Sequence, residues 1–283
     1  MLTRGAFRRL AIIKSAQKEK GPVMAKHENL RLDDAAAEFY EKNFVPAIFA
    51  DWASLLVNAG GVVEEQRVLD VACGTGIVAR KAAESVGKRG EVTGIDLNPS
   101  MLAVARRLHP EINWHEGDVA SMPFADGSFD VVFCQAALMF FPDRVAALLE
   151  MRRVLRSGGK IAVLVFGASL GYDLTADILE QVAGKEEADI FRAPFCLRDA
   201  DQVAALFTGA GFKSVKVETR QGAARFQSLD AFVRTEIDGW VLKGRVDIDA
   251  MLLATRDRLR QFTAASGEVR IPIEAHIVTA STY

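Results

Sequence analysis

One stretch constrains this chain more than any other. From Val68 to Ala79 it reads Val-Leu-Asp-Val-Ala-Cys-Gly-Thr-Gly-Ile-Val-Ala, an apolar run that breaks into a turn with glycines at 74 and 76 and then becomes helix-forming. Glycine lets the backbone bend sharply and lets a ligand come close where a Cβ would clash. A buried strand running through such a turn into a helix is the opening of a βαβ unit. The rest of the chain follows that rhythm. Strands are predicted at Arg67–Ala72, Glu91–Asp96, Ile112–Glu116, Phe129–Cys134 and Lys160–Phe166, and helices at Ile77–Val86, Pro99–Leu108 and Pro142–Leu155. Asn98 before Pro99 is a good helix start. The order calls for an α/β fold with a parallel, doubly wound sheet.

Flanking segments add to this unit. Apolar residues recur at three- and four-residue intervals over 33–60, which predicts N-terminal helices. Past Gly167 come a helix and loop, a helix over Ala200–Ala210, a strand at Ser214–Thr219, two or three helices over Ser228–Phe262 and a closing strand at Ala275–Ala280. The expected organisation is a basic arm at 1–26 and one domain over 27–283. Within it lie a core at 67–166, a helical insertion or lid at 222–271 and a last strand at 274–281. The arm holds seven basic residues against the single acid Glu19. That composition fits a transit peptide, a disordered tail or a chain that starts at Met24.

Composition removes several classes. Net charge is −2, from 35 basic and 37 acidic residues, so no excess of cations exists to bind nucleic acid. No apolar run reaches the roughly 18 residues of a membrane span; the richest, Phe129–Phe141, is interrupted by Asp130 and Gln135. The three cysteines and four histidines form no metal-binding spacing, and the wide cysteine spacing suits a reducing cytoplasm.

Three carboxylates stand at successive strand ends. Asp70 is expected to face the glycine turn, where it would repel a pyrophosphate and attract a cation. Asp96, twenty residues after Gly76, can accept hydrogen bonds from a ribose diol. Asp118, in Glu116-Gly117-Asp118-Val119, can read an adenine edge together with the next peptide N–H. Each also has a plainer reading as a local cap or loop head. A nucleoside with a positive charge, such as S-adenosylmethionine, satisfies all three.

These residues resemble the class I S-adenosylmethionine-dependent methyltransferases, most closely the type 11 branch that includes quinone-biosynthesis enzymes. Val68–Ala79, Val92–Met101 and Glu116–Phe133 are similar to that family's first three motifs, and Val154–Lys160 to the glycine turn before its fifth strand. Ala72 departs from a glycine often found there. The resemblance implies a Rossmann-like, seven-stranded, mostly parallel sheet with helices on both faces, its sixth and seventh strands at Lys213–Arg220 and Glu274–Ala280 and the seventh antiparallel. It also implies roles. Asp70, Ala72, Gly74 and Gly76 would surround the methionine part, and Asp96 the ribose. Leu97 and Met101 would lie on the adenine face, and Asp118 and Val119 at its amino edge. Cys134 and Gln135 would sit beside the sulfonium. The acceptor implied is a small, fairly apolar phenol- or quinol-like molecule, beneath a lid drawn from the flanking segments. His115 and His276 are the histidines available as a base, and neither is assigned as catalytic. A homodimer is left open. The alternatives are a non-catalytic S-adenosylmethionine-binding protein and an NAD(P)-dependent oxidoreductase.

Overall fold

The computed structural model describes residues 32–239 and 242–283; the basic arm expected at 1–26 lies outside them. The chain enters through α1 (Asp34–Phe39), capped by Asp33, whose carboxylate accepts the Ala36 N–H. The next ten residues, Tyr40–Phe49, wind in a wider π-helical path containing Pro46, and α2 (Ala50–Gly60) continues from them. Proline has no N–H to give an ordinary helical ladder, and wide turns of this kind are rare and concentrated at functional sites. Phe44, Ile48, Phe49, Trp52 and Leu56 form the buried stripe of the combined helix.

The nucleus is β1 (Arg67–Val71), α3 (Ile77–Val86), β2 (Glu91–Asp96), α4 (Pro99–Leu108), β3 (Asn113–Glu116), β4 (Phe129–Gln135), α5 (Arg144–Val154) and β5 (Leu155–Phe166). Asn98 caps α4 as its sequence suggests, accepting from the Ser100 and Met101 N–H groups. The seven strands are ordered β3-β2-β1-β4-β5-β7-β6. β1 to β5 are parallel to their neighbours, and β7 (Val269–Ser281) inserts antiparallel between β5 and β6 (Lys213–Phe226). The central strands are buried on both faces, as a covered parallel sheet requires: Val68, Leu69, Val131–Cys134 and Ile161–Val165 are fully enclosed.

Several element limits differ from the sequence reading. β5 begins at Leu155, with Ser157-Gly158-Gly159 inside the strand, and the register on β4 shifts between Phe129 and Val131. Those glycines therefore form an irregularity in the pairing rather than a turn before it. β6 runs on to Phe226 and β7 starts at Val269, so the segment expected at 222–271 is helical only between those strands. Gly222 reads as a breaker, yet it pairs with Ile273, and a Cβ built on it would lie 2.4 Å from Trp52. Absence of a side chain lets the β6–β7 ribbon pass beneath the indole. Beyond it come α9 (Leu229–Asp238) and α10 (Ile248–Arg258); between β5 and β6 lie α6 (Leu170–Val182), α7 (Lys185–Arg192) and α8 (Ala200–Gly209).

Gly222→Val is expected to force the ribbon off Trp52 and destabilise the protein by about 1–3 kcal/mol, the usual cost of overpacking. Thermal unfolding checks this; an unchanged melting temperature would contradict the close approach.

Candidate active site

β1 and β4 are neighbours, but the chain leaves them toward opposite edges of the sheet. The carboxyl ends of strands at such a reversal leave a crevice, the usual ligand position in open α/β sheets. A cavity of about 1100 Å³, open mouth included, lies there. Ala72, Gly74, Asp96, Leu97, Met101, Asp118, Val119 and Gln135 line it, so eight of the ten residues singled out from sequence meet on one surface.

Asp70 does not reach that surface. Its side chain is 1% exposed, and Oδ2 accepts the Ala79 N–H at 3.0 Å. The alternation of β1 sends it to the face covered by α3, whose first turn has N–H groups without partners and a glycine, Gly76, where a capping side chain would stand. Asp70 supplies that cap from outside the helix. Burial pushes its carboxyl up to about 8, against the pull of the Ala79 N–H and with help from the Asp96 charge. Gly76 is likewise internal: at φ +89°, a Cβ there would meet Trp114 at 2.3 Å. Cys134 is fully buried and does not line the cavity.

Asp96 ties the site together. Its Oδ2 accepts the Gly74 N–H at 2.7 Å and its Oδ1 the Asn98 N–H at 2.9 Å. Burial raises its pKa, and these backbone donors oppose the shift. A carboxylate offers about four lone-pair positions, so two remain for a diol. Asp118 Oδ1 accepts the Ala120 N–H at 2.9 Å. Thus all three carboxylates hold local structure as the plainer readings had it, while Asp96 and Asp118 also face the cavity.

The turn is poorly suited to a dinucleotide. The Cys73 N–H donates to Ile95 O, that of Gly74 to Asp96, that of Gly76 to Cys73 O and that of Ala79 to Asp70. A pyrophosphate needs such donors free, and no lysine or arginine lines the cavity among the described residues. Both features weigh against the oxidoreductase alternative. By contrast, the cavity has room and acceptors for a cationic nucleoside. A Cβ on Gly74 would have no atom nearer than 3.9 Å, so a side chain there would occupy ligand space. Gln135 donates through Nε2 to Phe49 O at 3.2 Å, while its Oε1 is buried without a partner. Ala72 adopts φ +53°, which explains why glycine is common at this position: an L-residue pays roughly 1 kcal/mol there.

Other walls include two aromatics of the expected lid, Tyr40 and Phe49, and two that sequence reasoning missed, Phe140 and Phe141. Tyr40 and Phe49, with ring centroids 5.4 Å apart, cover the cavity from the π-helical segment, and Phe140 and Phe141 close another side. The aromatic spacing of the first helix was visible, but it signals core packing equally well. Neither histidine takes part. His115 is exposed on β3 against Phe124. His276 is buried with Nδ1 at 2.8 Å from the Thr219 hydroxyl and Nε2 at 2.9 Å from Arg198 O. No group of side chains among the described residues could hold a metal ion.

Because Asp70 ionises near 8 when folded and near 3.8 when exposed, the folded state keeps its proton longer, and rising pH between those values costs stability. Asp70→Asn is expected to reduce that loss, by up to about 1.4 kcal/mol per pH unit. Urea unfolding of the ligand-free protein at several pH values tests this, and equal slopes for the two proteins would refute it.

Comparison with known proteins agrees with this geometry. Residues 69–163 match a family model described as a methyltransferase domain. A demethylmenaquinone methyltransferase of Staphylococcus carnosus is 33% identical over 194 residues, covering 63% of this chain and 80% of the relative. The chloroplastic 2-phytyl-1,4-beta-naphthoquinone methyltransferase of Arabidopsis thaliana is 36% identical over 126 residues, 42% of this chain and 48% of the relative. Among solved structures, phosphoethanolamine N-methyltransferase 2 of Haemonchus contortus with S-adenosyl-L-methionine shares the fold at TM-score 0.58 and 21% identity, covering 88% of this chain and 57% of that one. The chain belongs to the class I S-adenosylmethionine-dependent methyltransferases, in their type 11 branch.

Proposed function

We propose that the protein methylates a small aromatic alcohol of the quinol type, held in a second cavity next to the nucleoside site. One observation carries this reading. A cavity of about 560 Å³, lined by Phe44, Ile48, Phe49, Phe166, Tyr172, Ile190, Phe191, Phe195 and Ile273 among others, shares the Phe49 ring with the first. Its walls come from the N-terminal helix, the end of β5, α6, α7, α9 and β7, the flanking segments expected to form a lid. Apolar aromatic walls of this size suit a flat, largely hydrophobic molecule. The relatives named for demethylmenaquinone and phytylnaphthoquinone support the same chemistry.

S-adenosylmethionine supplies a methyl group already activated by its sulfonium, so the protein has mainly to align the acceptor and exclude water. In this reading Asp96 holds the ribose hydroxyls, Leu97 and Met101 flank the adenine, and Asp118 with Val119 meets its amino edge. Gln135 Oε1, left without a partner, faces the positive end of the donor in place of Asp70. Cys73, Cys134 and Cys196 form no disulfide among the described residues, which fits a cytoplasmic setting, and no helix among the described residues is long and apolar enough to cross a membrane.

Incubation with S-adenosylmethionine and either 1,4-naphthoquinol or phosphoethanolamine is expected to yield a methylated product from the naphthoquinol alone, read by mass spectrometry. Binding of S-adenosylhomocysteine without turnover of any aromatic alcohol would return the non-catalytic reading. Asp96→Asn is expected to weaken S-adenosylhomocysteine binding by about 1–3 kcal/mol; calorimetry showing unchanged affinity would remove Asp96 from the ribose site.

A further inference from the structure

The aromatic cavity contains one polar element. Tyr172 on α6 donates its hydroxyl hydrogen to Glu236 Oε1 on α9 at 2.5 Å, across 64 residues of sequence. Both side chains line the cavity, and both are more than nine-tenths buried. No cation compensates this acid: the other described residues of the wall, from the N-terminal helix, β5, α7, the turn after α7 and β7, are apolar. A carboxyl without a cation inside an aromatic chamber is unfavourable to bury. Its partner is a tyrosine that is itself part of the chamber wall, so the pair joins α6 to α9 at the cavity.

We infer that Glu236, working with Tyr172, is the proton acceptor for the methyl acceptor's hydroxyl group. This rests on the reading of the second cavity as the acceptor site. The acceptor hydroxyl passes its proton to the Tyr172 oxygen as Tyr172 hands its own to Glu236, which ends neutral. The electron pair freed on the acceptor forms the new bond to the methyl carbon, while the pair of the broken carbon–sulfur bond stays on sulfur. If the bond forms at a conjugated ring carbon instead, that carbon then loses its hydrogen to solvent and Glu236 returns the proton to oxygen. Burial, the larger influence, holds the Glu236 carboxyl up at about 7, against the Tyr172 hydrogen bond. A group titrating there is suited to general-base work near neutrality.

The test uses the full-length protein saturated with S-adenosylhomocysteine and titrated with 2-naphthol. In the wild type, affinity for 2-naphthol is expected to fall at least threefold from pH 8 to pH 6, because the Tyr172 oxygen accepts the phenol hydrogen better when its own hydrogen is held by a carboxylate than when its partner is a carboxylic acid. Glu236→Gln, which keeps an acceptor for Tyr172 but takes no proton, should show a flat profile. It should also lower kcat with 1,4-naphthoquinol by about 100-fold or more, with S-adenosylhomocysteine affinity held within twofold. A flat wild-type profile, no saturable 2-naphthol binding, or a variant retaining kcat within threefold would overturn the assignment while leaving the methyltransferase reading intact. A wild type that bound no S-adenosylhomocysteine would instead fell that reading, and this one with it.

Discussion

The Gly74 N–H and the Asp96 carboxylate form the bond on which the site depends. It joins the turn after β1 to the end of β2, so two loops that diverge in sequence are clamped edge to edge. The clamp does two things at once. It withdraws a peptide donor that a phosphate would otherwise claim, and it holds a carboxylate at the rim with capacity left for hydroxyl groups. A glycine turn before a helix is shared by many nucleotide sites; what distinguishes this one is that its donors are consumed internally. The negative carboxylates at the rim are Asp96 and Asp118, with Asp70 one layer beneath.

What was readable from sequence follows from how local each signal is. β1, its turn and α3 lie within twenty residues, and so do Asn98 and the helix it caps; patterns on that scale survive folding. The placement of Asp96, Leu97, Met101, Asp118 and Val119 follows from standing at or just past strand ends, where register fixes position: Asp96 pairs with Glu116. Asp70 was misplaced because it lies inside the strand, where one residue decides which face a side chain joins. The lengths of β6 and β7 were misread because Gly222-Ala223-Ala224 resembles a break, and only the position of Trp52 shows why small residues are required. The second cavity was visible in the sequence only as a lid expected from the flanking segments, with core packing an equally good reading of their aromatics. Its walls come from five separate segments, each of which looks like ordinary core when read alone.

Burial also governs the energetics of the ionisable groups. Asp70, Asp96 and Glu236 all sit where the charged form is disfavoured, and their pKa values rise together. A protein selected only for stability would replace such groups, since each costs more than it returns. For Asp96 and Glu236, which line the cavities, that cost is offset when a ligand supplies donors, so residues that weaken the unliganded fold make occupancy stabilising, whereas Asp70 has its donor within the fold.

The wide-wound segment from Tyr40 to Phe49 has a wall in each chamber: Tyr40 and Phe49 in one, Phe44, Ile48 and Phe49 in the other. Phe49 O is also where Gln135 anchors its amide. One partition therefore serves two guests, and it cannot move for the first without redrawing the room left for the second. Linkage makes such an effect reciprocal. On the proposed reading, a shift of Phe49 on donor binding would change the acceptor's affinity, and the acceptor would change the donor's by the same factor.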